Sequence, residues 1–400
     1  MTERGDSPPL VSAQMVGSLR MGGAEHLAVQ IANARAADGD RSHLYVLDGP
    51  GPLSAKISPD VIVRHFEQQV APPTRPWRCY ASIRTGYRQL MDSLTADGID
   101  VLQTHLPGAN FWGLLLSVAG RRTVIPTVHS NREFDYGEAV SLPRAQGRRW
   151  AYRRMLSRCA AVVAVSENVR KALLAELGLR GRSPERLVVV PNGVPIPEPL
   201  PAAERADVRA RYDCAPDDFL VLAAGRHCAL KNYEALIDVI GLLRARDRAV
   251  RLVLAGEGPL TVDYRERADS LGLGDRVCLP GNLDDLPRVM QAADGFVISS
   301  RWEGLSLVML EAMACGLPVV GTRIPGVEDL IDDGVSGLLA VPDDVADLAR
   351  AVTDLIDDPA LRDSCRIAAR EQVVRDFSIG RVSRDLGELY WSTLTRDRTQ

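Results

Sequence analysis

The sequence predicts an α/β protein of two doubly wound domains facing each other across a cleft, and three observations predict it. Short, continuously apolar runs alternate with amphipathic segments along the chain, as parallel strands covered by helices on both faces require. A proline-rich stretch divides the chain into halves of similar length. Each half opens alike, with a strand, a glycine, a short loop and a helix.

In the first half the candidate strands are Leu10–Val16, His43–Leu47, Val101–Thr104, Val124–Val128, Ala161–Val165 and Leu187–Val190. Amphipathic segments over Ala24–Ala36 and Ser166–Leu177 read as helices. From Pro191 to Glu204 the chain carries five prolines, which cannot donate the hydrogen bonds of a helix or a central strand. The second half supplies strands at Phe219–Ala223, Arg251–Ala255, Val277–Leu279, Phe296–Ser299 and Pro318–Val320, with helices over Tyr233–Arg244 and Val345–Ile356. The expected organisation is a first domain over residues 1–195, a linker over 196–204 and a second domain over 205–375. Residues 376–400 read as a C-terminal helix, with a return onto the first domain as one option. In such sheets ligands bind beyond the C-terminal ends of the strands, which two facing domains would both present to one cleft.

Composition narrows the class further. The 400 residues suffice for two or three domains. Hydrophobic residues at 46% and charged residues at 25% fit a soluble globular enzyme and exclude a disordered or fibrous chain. A net charge of −4 argues against a nucleic-acid binder, which needs an excess of cations on phosphate. Seven scattered cysteines with no C-x-x-C pair read as reduced thiols of a cytoplasmic protein. The N-terminus has no apolar signal region, and the longest apolar stretch, around Phe111–Ala119, is too short to span a bilayer.

The glycine motifs exclude two nucleotide-binding classes. Gly256-Glu257-Gly258 lacks the third glycine of a dinucleotide fingerprint, and Gly17 and Gly22 are followed by Gly23-Ala24 where a Walker A loop needs Lys-Ser/Thr. Asp38-Gly39-Asp40 has the form of a metal-diphosphate motif but falls in a helix-to-strand turn. No cluster has metal-ligand spacing, so no metal and no cofactor is expected.

The informative run is Ser299 to Thr322. A strand ends at Ser299, a loop carries Glu303-Gly304, and a helix is expected from about Leu305 to Ala314. The unpaired amides of Leu305, Ser306 and Leu307 would favour an anion, and Gly304 would let the backbone approach it. Glu303 and Glu311 beside an anion site call for neutral donors, and the vicinal hydroxyls of a sugar match a carboxylate. Arg226 and Lys231, after the strand Phe219–Ala223, would supply the positive charge that a diphosphate requires without a metal. A nucleotide diphosphate joined to a sugar suits this set best.

With these motifs the chain resembles the family 4 retaining glycosyltransferases of the GT-B fold, built of two Rossmann-like domains. Four features carry the resemblance: Arg226 with Lys231 five residues on; Gly256-Glu257-Gly258-Pro259; Glu303 and Glu311 within E-G-x-S-x-x-x-x-E-A-M-A-x-G; and Pro191-Asn192-Gly193-Val194. Gly22-Gly23-Ala24-Glu25 looks like the family's N-terminal glycine loop, so the likeness covers nearly the whole chain. It implies that Arg226 and Lys231 bind the diphosphate, Glu311 the ribose diol and Glu303 the donor sugar. Amides from Gly304 through Leu305 and Ser306 to Leu307 would complete the contacts, with Gly22, Gly23 and Asn192 as further donor-binding residues. His129, in Pro126-Thr127-Val128-His129, matches a histidine placed near the donor sugar. One departure is the stretch Arg323-Ile324-Pro325-Gly326-Val327-Glu328, which lacks the double glycine of many members.

Bystanders are separated on chemistry. His105 is a weaker candidate than His129, and His26, His43, His65 and His227 read as structural. The basic segment with Arg144, Arg148, Arg149, Arg153, Arg154, Arg158, Trp150 and Tyr152 reads first as a solvated helix covering a sheet. Weak peripheral contact with the inner face of an anionic membrane is its second reading, to which Arg75-Pro76-Trp77-Arg78 adds little.

The expected activity is transfer of a hexose-type sugar from a nucleotide diphosphate sugar, UDP before GDP, to an acceptor hydroxyl with retention. The acceptor would be a glycan, a lipid-linked species or a small molecule, chosen by loops around Gly49–Lys56 and Asn131–Arg148. Two alternatives stand beside it: a silent sugar-nucleotide-binding subunit of a glycan assembly complex, and a sugar-nucleotide epimerase or hydrolase on the same scaffold.

Overall fold

A computed structural model describes residues 9–66, 76–134, 142–182 and 184–397. The chain divides into two units, Met1–Gly193 with Ile379–Gln400, and Val194–Ser378. Each is a parallel sheet flanked by helices.

The first unit holds β1 (Val11–Val16), β2 (Arg41–Val46), β3 (Ile62–His65), β4 (Val101–His105), β5 (Val124–Val128), β6 (Val162–Ala164) and β7 (Leu187–Val189). Their order is β3-β2-β1-β4-β5-β6-β7. The second unit holds β8 (Phe219–Ala224), β9 (Val250–Ala255), β10 (Val277–Gly281), β11 (Gly295–Ile298), β12 (Val319–Thr322) and β13 (Leu338–Ala340), in the order β10-β9-β8-β11-β12-β13. All the pairings between these strands are parallel. The central strands β4 and β8 are buried throughout, and β1 in all but its first residue, which is why they read as continuous apolar runs.

Two strands escaped the sequence reading, and both lie at sheet edges. In β3, Ile62, Arg64 and His65 are exposed, so little apolar pattern is needed there. In β13, Leu338-Leu339-Ala340 is three residues long with no β-branched residue.

The helices fall close to expectation. Tyr233–Arg244 is helical over the expected range, and Leu236, Ile237 and Ile240 pack on Val221, Leu252 and Leu254 of the sheet. The helix expected over Ser166–Leu177 spans Glu167–Glu176, because the Ser166 hydroxyl accepts from the Val169 amide at 3.1 Å and caps it. Part of the proline-rich stretch is also helical, over Ala202–Ala210. Arg205 and Arg209 each pair with Asp294 at 2.7 Å, fastening this helix within the second unit.

The C-terminal helix Ile379–Asp397 belongs to the first unit. Val382, Leu386 and Tyr390 are buried, and the Arg35 guanidinium donates to the Ser383 carbonyl at 2.9 Å. A Cβ on Gly193 would lie 2.9 Å from the Val382 Cβ and 3.0 Å from the Ile379 Cα, so this glycine permits the close packing there.

The basic segment forms the helix Leu142–Arg158. Tyr152 and Met155 are buried, Arg149 pairs with Glu176 at 2.7 Å, and Arg153 donates to the Leu177 carbonyl at 2.7 Å. Arg148 donates to the Phe134 carbonyl at 2.6 Å. Three of the six arginines therefore tie this helix to neighbouring segments of the first unit, while Trp150 is exposed. Arg75, the side chains of Trp77 and Arg78, and residues 135–141 of the expected acceptor loop lie outside the described residues. Among the described residues, no helix is long and apolar enough to cross a membrane.

Candidate active site

In the second sheet the strand order reverses between β8 and β11. At such a switch point the loops leave neighbouring strands in opposite directions and open a crevice. The loop after β8 carries Arg226 and Lys231, and the loop after β11 carries Glu303.

Those two loops meet. The Lys231 ammonium lies 2.6 Å from Glu303 Oε1, and the Ser300 hydroxyl donates to the same oxygen at 2.7 Å. Both charged side chains are largely buried, at 20% and 13% exposure, so the pair is poorly screened by solvent. Arg226 is exposed and makes no hydrogen bond or ion pair with any described residue. The loops are held by their backbones as well. The Arg301 amide donates to the Leu230 carbonyl at 2.8 Å, and the Ser299 hydroxyl to the Lys231 carbonyl at 2.8 Å. Asn232, left-handed at φ 51, follows Lys231 and donates to Asp343, which Arg301 also holds. Lys231 therefore sits in the loop, two residues before the helix Tyr233–Arg244 begins.

Behind this loop His227, Tyr233 and Tyr264 form an edge-to-face cluster with ring centroids 5.5–5.9 Å apart. His227 is fully buried and its Nδ1 lies 2.9 Å from the Thr261 hydroxyl, a structural role. Burial, then the charge of Glu303, raises the Tyr233 phenol well above its ordinary range, so it stays a neutral wall.

Beyond Glu303 the helix begins at Leu307, with Ser306 as its N-cap, rather than near Leu305. Gly304, Leu305 and Ser306 thus form a buried approach to the helix, and Leu307 opens its first turn. The Ser306 side chain does not cap that turn. Glu311 lies in the same helix, partly buried. Gly326, within the stretch that lacks the double glycine, lies against the Glu303 loop. Its φ is +84°, and a Cβ there would fall 2.6 Å from the Glu303 carbonyl and 2.7 Å from that of Gly304.

In the first unit the corresponding reversal lies between β1 and β4. Gly22, after β1, is the extended N-cap of the helix Gly23–Ala37. Glu25 folds back onto its own amide and fills the space where a Gly22 side chain would stand. His129 follows β5, partly buried, and its Nε2 lies 3.0 Å from Nδ1 of His105 at the end of β4. Burial pushes the His129 pKa down to about 4, and burial followed by the His129 charge takes His105 well below its ordinary value. Asn192 is buried, at 3% exposure.

Comparison with known proteins settles the class. Residues 204–372 match the glycosyl transferases group 1 family, and residues 21–197 match glycosyltransferase family 4. The 2-deoxystreptamine glucosyltransferase of Streptomyces kanamyceticus is 31% identical over 294 residues, covering 70% of this chain and 74% of that protein. This chain belongs to the family 4 glycosyltransferases. The D-inositol 3-phosphate glycosyltransferase of Frankia alni is 28% identical, covering 87% of this chain and 88% of the other. Among solved structures, the Anabaena protein HepE in complex with UDP and glucose superposes with a TM-score of 0.81. The match covers 95% of this chain and 99% of HepE at 20% identity, which speaks for the shared GT-B fold.

For this glycosyltransferase the structure adds residues that sequence reasoning passed over, Ser300, Asn232, Gly326 and Asp343, and sets His105, the weaker histidine candidate, directly against His129. Among the described residues, no group of three or more His, Cys, Asp or Glu is arranged to hold a metal.

The neutral histidines carry a pH prediction. The unfolded chain binds a proton at these rings near 6.5, whereas folded His129 and His26 bind it only near 4. Their contribution to stability is complete above about 6.5 and is lost as the pH falls toward 4. The urea midpoint at pH 5 should therefore lie below that at pH 7; equal midpoints would contradict the burial of neutral rings.

Proposed function

We propose that this glycosyltransferase moves a hexose-type sugar from a nucleotide diphosphate sugar to an acceptor hydroxyl in glycan biosynthesis, with retention and without a metal ion. The observation that carries the reading is the Lys231–Glu303–Ser300 cluster at the switch point, with Arg226 exposed on the same loop as Lys231. A diphosphate needs cations, and a sugar needs a carboxylate that accepts from its hydroxyls. In this reading Lys231 and Arg226 take the diphosphate, joined by the amide end of the helix Leu307–Ala314. Glu303 and His129 take sugar hydroxyls, Glu311 takes the ribose, and Gly22 and Gly23 keep their loop narrow.

The acceptor oxygen forms a bond to the anomeric carbon as its bond to the diphosphate oxygen breaks, and the acceptor proton leaves with the diphosphate. Negative charge grows on the leaving group, where fixed cations and peptide dipoles stabilise it most. The UDP and glucose held by the Anabaena protein make UDP-glucose the first donor to test. The cyclitol acceptors in the relatives' names make small polyols the first acceptors, ahead of lipid-linked glycans.

The test is nucleotide release with and without acceptor in the presence of a chelator, with the anomer assigned by NMR. Release that depends on acceptor, with the donor's anomeric configuration kept in the product, is expected. Free sugar or an isomerised donor without acceptor would point to the hydrolase or epimerase instead, and donor binding with no turnover across an acceptor panel to a silent subunit.

A further inference from the structure

Below His129 a chain of buried polar groups runs through the first sheet to the C-terminal helix. His105 Nδ1 meets His129 Nε2 at 3.0 Å, and His105 Nε2 meets Gln14 Oε1 at 2.8 Å. Gln14 Nε2 donates to the Tyr390 hydroxyl at 3.1 Å, and that hydroxyl donates to Gln103 Oε1. Gln103 Nε2 then donates to the Thr127 hydroxyl at 2.8 Å. Gln14, Gln103, His105 and Tyr390 are each at most 1% exposed, so no solvent competes for these contacts.

The direction of the chain follows from proton counting. The Tyr390 hydroxyl carries one proton and gives it to Gln103, so Gln14 must reach Tyr390 with its amide nitrogen. The oxygen of Gln14 is left for His105, which must be protonated on Nε2. A neutral His105 then has only a lone pair on Nδ1, so His129 must donate from Nε2. Both rings are neutral near pH 7 because burial disfavours the cation. The backbone next to His105 is also constrained: Leu106 has a φ of 71°, a conformation costly for a leucine and maintained by its surroundings.

We infer that Gln14, His105 and Tyr390 are positioning residues that hold His129 as its Nε2–H tautomer, presenting Nδ1 as a hydrogen-bond acceptor to a sugar hydroxyl. The second half of this statement rests on the proposed place of His129 in the donor site; the tautomer itself does not. The other tautomer would present an N–H at Nδ1 and reverse the direction of that hydrogen bond.

The test is nitrogen-15 NMR of the full-length protein labelled at histidine, with the His129 signals assigned by their loss in His129→Gln. Expected in the unmodified protein are a protonated Nε2 and a bare Nδ1 on His129. Tyr390→Phe removes one oxygen from the relay, and should mix the two tautomers and lower kcat by about tenfold or more while UDP affinity is unchanged. A protonated Nδ1 in the unmodified protein, or a tautomer indifferent to Tyr390→Phe, would overturn the relay. Full transfer activity in His129→Gln, with the tautomer as expected, would instead remove His129 from the donor site and leave the relay standing.

Discussion

Lys231→Ala is expected to lower kcat by about 100- to 1000-fold while the protein stays folded, the loss typical of removing one group that stabilises charge in a transition state. The lysine has two tasks. Before donor binds it neutralises Glu303 at 2.6 Å in a largely buried setting, and in the proposed reaction it meets the charge growing on the diphosphate. Its removal leaves the Glu303 carboxylate with the Ser300 hydroxyl and no cation, which costs on the order of 1–3 kcal/mol of stability. Glu303→Gln separates the two tasks. The amide still accepts from Lys231 and Ser300, but it no longer cancels the lysine charge. UDP should then bind at least as tightly as to the unmodified protein while kcat falls, because the sugar loses its carboxylate. Steady-state kinetics with UDP titration reads both outcomes. Near-normal turnover in Lys231→Ala, or UDP affinity lost in Glu303→Gln, would contradict these roles.

Gly256→Ala is expected to destabilise the protein by about 3 kcal/mol, a large effect for one methyl group. Gly256 directly follows β9 at φ +118°, and its amide donates to the Gly281 carbonyl at 2.7 Å. An added Cβ would strike the Gly225 carbonyl oxygen, which is backbone and has no rotamer to escape through. Gly225, at φ +148°, opens the loop that carries Arg226 and Lys231, so the strain would pass into the site. Chemical denaturation should show the loss, and activity per folded molecule should fall with it. A change within about 0.5 kcal/mol, the scale of a neutral surface substitution, would show that the glycine is not required.

Legibility from sequence followed burial. Strands covered on both faces left unbroken apolar runs, and the helix Tyr233–Arg244 could be bounded to the residue because its apolar face and its loop chemistry agree. Edge strands such as Ile62–His65 left no such run. The acids and bases of the second unit were legible as motifs, but not the direct pairing of Lys231 with Glu303, which depends on β8 and β11 being neighbours. Placing His105 beside His129 likewise needs β4 next to β5. Each strand is followed through to a histidine at its end, and that shared position was the signal available. Gly326 was hidden because its partner is the backbone of Glu303, twenty-three residues earlier, and backbone contacts leave no pattern in side chains. The helix start moved from Leu305 to Leu307 because Gly304 to Ser306 pack inward before the first turn.

The most direct measurement is calorimetric titration of UDP, in the presence of EDTA, into the unmodified protein and into the double variant Arg226→Ala/Lys231→Ala. Two charge-assisted contacts to phosphate are together worth about 3 kcal/mol or more. Binding that survives chelation and weakens by about 100-fold or more in the double variant is expected. Binding abolished by EDTA, or equal in the two proteins, would contradict a diphosphate held by these two side chains.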